Sequence, residues 1–153
     1  MGSFKVDFAI LCDYFAHDHQ GKYLLAGGYG PVINIGGNPK TWPPMYVVVA
    51  LRPRLPEFRF AINLLKPDHE TMVQVEGHYS TERPPDDVDM VLIGARIPPN
   101  VIFPGFGTYS IEILEKFPSP ATAFSRQISV RPGSEPASTQ PSPKVNLKLH
   151  VSG

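Results

Sequence analysis

Eighteen prolines and thirteen glycines interrupt a chain of 153 residues, and their spacing is the strongest constraint on its fold. Proline removes a backbone N–H, and glycine loses more conformational freedom on folding than any other residue. Neither suits the interior of a helix. No stretch of a dozen residues places apolar side chains at i, i+3, i+4 and i+7. Between the breaks, apolar residues recur at every second position, the period of a strand with one buried face.

Residues 4 to 14 set the pattern. Phe4, Val6, Phe8, Ile10, Cys12 and Tyr14 fall on one face of an extended chain, which predicts that Cys12 faces the core. A polar loop, "AHDHQG", and then "KYLLAG" complete a hairpin. "PVINI" is a short strand. "MYVVVALR" is apolar at both parities and belongs in the middle of a sheet. "FRFAINLL", "TMVQVEGHY", "VDMVLIGARI", "TYSIEILEKF" and "FSRQISVR" follow, separated by turn-forming segments. In the last of these Phe124, Ile128 and Val130 point inward, and Arg126 breaks the apolar face. Eight or nine short strands at this spacing predict an all-β fold, an antiparallel β-sandwich. A closed barrel is the alternative.

The composition shifts after Arg131. Residues 132–143 are rich in Pro, Ser and Thr and read as a linker. Residues 144–153 then alternate strictly, with Val145, Leu147, Leu149 and Val151 against Lys144, Asn146, Lys148 and His150. The division expected is a sandwich domain at 1–131, the linker, and a tethered C-terminal strand. That strand can fold back onto its own domain or pair with another chain.

Charge excludes some partners. Fourteen basic and fourteen acidic residues leave no net charge, and the arginines form no run. Nucleic acid and anionic membranes are therefore not expected partners. The apolar runs are far short of the roughly 20 residues that cross a bilayer. The first fifteen residues carry Asp7 and Asp13 and do not read as a signal peptide. A single cysteine allows no intramolecular disulfide. A soluble cytoplasmic protein is the expectation.

"INIGGNPKTW" holds the ingredients of a phosphate loop but not its spacing. The residue before Lys40 is Pro39, which lacks the N–H that would hold a phosphate, and a strand rather than a helix follows. Gly36 and Gly37 are better read as turn residues. His17 and His19, with Asp18 between them, are weak metal-ligand candidates. Cys12 and Asp13, on opposite faces of the strand, cannot readily join them. "DDVD" at 86–89 reads as a solvated loop. No G-x-S-x-G elbow occurs, and nucleophilic catalysis has almost no support. Trp42, Tyr29, Phe103 and Phe106 sit in or beside loops, where aromatics either plug the core or meet a partner. Tyr109 is expected in the core, with its hydroxyl on a backbone partner.

The segments "VDFAILCDYF", "GKYLLAG", "YVVVALR" and "FPGFGTYSIEI", in that order, resemble an uncharacterised bacterial family of small β-sandwich proteins, a domain of unknown function. The resemblance covers roughly residues 5–131. It implies an immunoglobulin-like or similar sandwich and supplies no activity, cofactor or site residues. The expected role is therefore a non-catalytic binding or assembly module without a cofactor. Its partner is a protein or a second copy, met through edge-strand pairing and loop aromatics. Candidate contacts are Val145, Leu147, Leu149, Val151, Trp42 and Tyr29. The alternatives are a carbohydrate or other small-ligand module using Trp42 and Tyr29, and a metal-dependent enzyme using His17 and His19.

Overall fold

The computed structural model describes residues 2–133. The linker from 134 onward and the alternating segment 144–151, with Val145, Leu147, Leu149 and Val151, lie outside the described residues. The described chain is all-β, with nine strands in two sheets and no helix. The strands are β1 (Phe4–His17), β2 (Tyr23–Gly28), β3 (Val32–Ile35), β4 (Tyr46–Pro53), β5 (Glu57–Leu65), β6 (Thr71–Ser80), β7 (Val91–Arg96), β8 (Gly107–Phe117) and β9 (Ala121–Pro132). One sheet has the order β2-β1-β4-β7; the other, curled like a half-barrel, has the order β3-β9-β8-β5-β6.

Every pairing is antiparallel except β3 with β9. The chain leaves β2 in one sheet and enters β3 in the other. Its short strand therefore meets β9 running the same way, which alternation alone does not reveal.

The larger of two apolar clusters draws on both sheets. Leu11 from β1 and Val47, Val49 and Leu51 from β4 meet Phe58, Phe60, Ile62 and Leu64 from β5. Tyr109, Ile111 and Ile113 from β8 and Ile128 and Val130 from β9 complete it. Each such side chain stabilises the fold by about 1.5–3 kcal/mol relative to leaving it in water. The expected central place of "YVVVALR" is met: β4 lies between β1 and β7 and is buried on both faces.

The single apolar face expected for residues 4–14 needs correction. The register of β1 against β4 shifts between Val6 and Phe8. A bulge inserts one residue, so every later side chain changes face. Phe4 and Val6 pack on the shared core before it, and Ala9 and Leu11 after it. Phe8, Ile10 and Cys12 pass to the outer face. Cys12 is fully buried, but in a second cluster with Phe15 and Val48, flanked by Leu25, Tyr46 and Leu92.

Candidate functional site

The His17–His19 loop is built for a turn. Asp18 Oδ1 accepts hydrogen bonds from the backbone N–H groups of Gln20 (2.8 Å) and Lys22 (2.9 Å). Gly21 closes the loop with φ near 77°. The carboxylate between the two histidines is thus engaged by backbone, an arrangement aspartate favours in turns. His17 faces Phe15 and Tyr23 instead, with ring centroids 6.5 and 6.3 Å away. Among the described residues no three His, Cys, Asp or Glu side chains gather as a metal site.

The acidic segment 86–89 has a similar internal use. Asp89 accepts from Arg83 Nη2 and from the Asp86 N–H, both at 2.8 Å. The Arg83 guanidinium and that N–H hold the Asp89 carboxyl below the usual carboxylate range. Arg52 Nη1 donates to the Asp87 carbonyl at 2.9 Å. These contacts tie the β6–β7 crossing to the end of β4.

At the end of the stack where β4 begins, aromatics form a file from core to solvent. Trp42 is 2% exposed and lies 4.8 Å from Tyr109 and 5.6 Å from Phe103, ring centre to ring centre. Phe103 meets Phe106, which is 39% exposed. Trp42 therefore plugs the core and leaves no ring face for a sugar. Tyr29 packs at the core margin, and its hydroxyl donates to Asp13, which pushes its pKa up to about 12. The Tyr109 hydroxyl donates to the Gly105 carbonyl, the expected backbone partner, and burial also raises its pKa to about 12. Burial pushes the Cys12 thiol up as well, which makes it a poor nucleophile.

The two outer faces differ sharply. On the five-stranded sheet, Ser110, Glu112, Ser125, Gln127, Gln74 and Glu76 alternate with the core residues, a polar face. An open concavity of about 400 Å³ on that side is lined by Arg59, Glu76, His78 and Lys116 over Phe60 and Gly77. Its charges are mixed, and it presents no base–nucleophile pair.

The outer face of the four-stranded sheet is apolar instead: Phe8, Ile10, Phe15, Leu25, Tyr46, Val48 and Leu92 cluster around Cys12. Phe15 covers Gly94, where any Cβ would fall inside its ring. Tyr14, edge-on to Tyr46, and Tyr23, stacked on Phe15, extend the surface at 47% and 50% exposure. The run "FAILC" is apolar at both parities like β4, and the bulge against β4 decides which parity faces outward. Reading the segment as one continuous strand hides it.

With nine strands in two sheets and no helix among the described residues, the molecule falls in the class of small all-β domains. The chain belongs to DUF6941, a family of unknown function, which matches residues 7–115. No curated protein matches the chain.

Proposed function

We propose that this protein is a non-catalytic binding or assembly module whose partner is a protein, met on the four-stranded sheet. The observation that carries this reading is the apolar cluster on the outer face of that sheet. Monomeric soluble proteins rarely leave large contiguous apolar patches in water, and those that persist mark interaction sites. The opposite, polar outer face is the internal control. Edge-strand pairing fits the same sheet: β7 ends it, and Val91–Ala95 carries neither charge nor proline, the usual guards of an edge. The half-exposed Phe103 and Phe106 add loop aromatics at one end, and the sequence alternation of Val145, Leu147, Leu149 and Val151, outside the described residues, suits pairing with an edge.

The two-sheet arrangement is best described as a sandwich of immunoglobulin-like type. The Tyr109-to-Gly105 bond supports this, because a tyrosine early in a strand that bonds a few residues upstream recurs in such sandwiches. A cytoplasmic setting suits the lone cysteine; no helix of the described residues is long and apolar enough to cross a membrane.

Site-specific photo-crosslinking in cells tests the binding reading. A crosslinker at Leu92, on the apolar face, is expected to capture protein, and one at Glu112, on the polar face, is not. Equal capture from both positions, or none from Leu92, would reject it.

A further inference from the structure

Four strands end the two sheets: β2, β7, β3 and β6. Three of them carry a guard against pairing with another chain. β3 is only four residues long. β6 places Glu76 and His78 along its outer face. β2 holds Gly27 in the left-handed region, with φ near 67°, which interrupts a regular ladder. β7 has none of these. Val91–Ala95 bears no polar side chain, is half-exposed throughout, and pairs on one side only, with β4. The two ends of β7 also carry opposite charge. Just before it, the Asp86 and Asp87 carboxylates are exposed, and neither has an ion pair among the described residues. At its far end Arg96 is exposed and equally unpaired there.

We propose that the protein partner at this edge is a second copy of the chain, with β7 pairing antiparallel to β7 about a two-fold axis at Ile93. The assignment rests on the reading of the four-stranded sheet as the protein-binding side and names the partner. Charge complementarity selects this occupant. A strand that is acidic at its start and basic at its end matches itself when run in the opposite direction. A two-fold axis across a shared edge imposes that direction. The chain's zero net charge also leaves no overall repulsion between copies.

The register follows from full overlap of Val91–Ala95. Ile93 then lies opposite itself, Val91 opposite Ala95 and Leu92 opposite Gly94, so that large side chains meet small ones on either side of the axis. Leu92 belongs to the apolar outer cluster, and Phe15 of that cluster covers Gly94. Pairing therefore joins the two four-stranded sheets and runs their apolar outer faces into one surface. Arg96 of one copy comes opposite Met90 of the other, next to the turn that the Asp89 N–H closes onto the Asp86 carbonyl at 3.0 Å. The symmetry makes this contact of guanidinium with carboxylates twice.

The test is the oligomeric state of the full chain by analytical ultracentrifugation, with charges reversed at these exposed positions. The unaltered chain is expected to be a dimer in equilibrium with monomer. Arg96→Glu sets acid against acid at both ends of the paired strands, and Asp86→Lys/Asp87→Lys sets base against base. Each should raise the dimer Kd at least about tenfold. Mixed in equal amounts, the two variants should regain the original affinity as a heterodimer, because both ends are then complementary; a variant that had merely misfolded could not do so. An unaltered chain that stays monomeric at every concentration overturns the proposal, as does a dimer indifferent to the reversals. The crosslinker at Leu92 separates this assignment from the binding reading beneath it. An adduct joining two copies supports both. Capture of a foreign protein alone removes the second copy and keeps the binding module, and no capture removes both.

Discussion

Arg126 Nη1 donates a hydrogen bond to the Ala9 carbonyl at 2.8 Å and so joins β9 of one sheet to β1 of the other. The bond answers a local need. β2 pairs only with β1 from Cys12 onward, so the earlier part of β1 has no strand on that side. An unpaired carbonyl at the sheet margin is costly when shielded from water, and a long cationic side chain can reach it. Arg126→Ala should lower stability by about 1–2 kcal/mol. Urea unfolding measures the loss; an unchanged midpoint would mean that water replaces the guanidinium without cost.

Tyr109 and Tyr29 predict an alkaline limit. Both phenols have pKa values raised to about 12 from the ordinary value near 10. The folded state therefore holds these protons more tightly than the unfolded chain does. That contribution is complete below pH 10 and is lost as pH rises from about 10 to 12. Tyr109→Phe and Tyr29→Phe should each flatten this fall. Phenolate absorbance followed against pH reports the two late-titrating groups directly, and titration of every tyrosine near 10 would contradict the assignment.

Gly94 has no room for a side chain beneath Phe15. Gly94→Ala should push that ring off the sheet, cost about 1–3 kcal/mol through overpacking, and expose Val48 and Cys12. Reaction of Cys12 with a thiol reagent should then quicken. A variant in which the thiol stays as protected as before would show that Phe15 does not seal the cluster.

The hairpin loop separates two roles of neighbouring residues. Asp18→Ala removes the one oxygen that accepts both loop hydrogen bonds and should cost about 0.5–1.5 kcal/mol, whereas His19→Ala should leave the melting temperature unchanged. Added zinc is expected to move neither curve. A zinc-dependent rise in Tm that disappears in His19→Ala would restore the metal reading.

Trp42→Ala should be the most damaging of the aromatic changes. A cavity opens between Tyr109 and Phe103, and losses of about 3–5 kcal/mol are usual for a buried aromatic. Phe106→Ala, at the exposed end of the same file, should cost under about 1 kcal/mol. Similar losses at the two positions would place the core boundary elsewhere.

Strand order along the chain was legible because period two, proline and glycine act locally. The turn at Gly36–Gly37 and the central place of β4 follow from the residues themselves. What escaped depends on partners distant in sequence. The bulge between Val6 and Phe8 exists only relative to β4, so the face taken by Cys12 cannot be read from β1 alone. The parallel match of β3 with β9 depends on a change of sheet. Arg126 breaks the apolar face of β9, and the Ala9 carbonyl that accounts for it lies in the other sheet, 117 positions away. The site was less legible still, because an apolar outer surface uses the same residues as a core.

The bonds between the chain's early and late segments also bear on its synthesis. Ser3 donates its N–H to Glu115 Oε2 at 3.1 Å, and Ala9 waits for Arg126. At the usual rate of roughly 5–20 residues per second, the 117 positions from Ala9 on to Arg126 take roughly 6 to 23 s to be made. Through that interval the first strand lacks the groups that close its free side. Closure of this domain therefore waits for β9, and until β9 is made the early part of β1 keeps an open side.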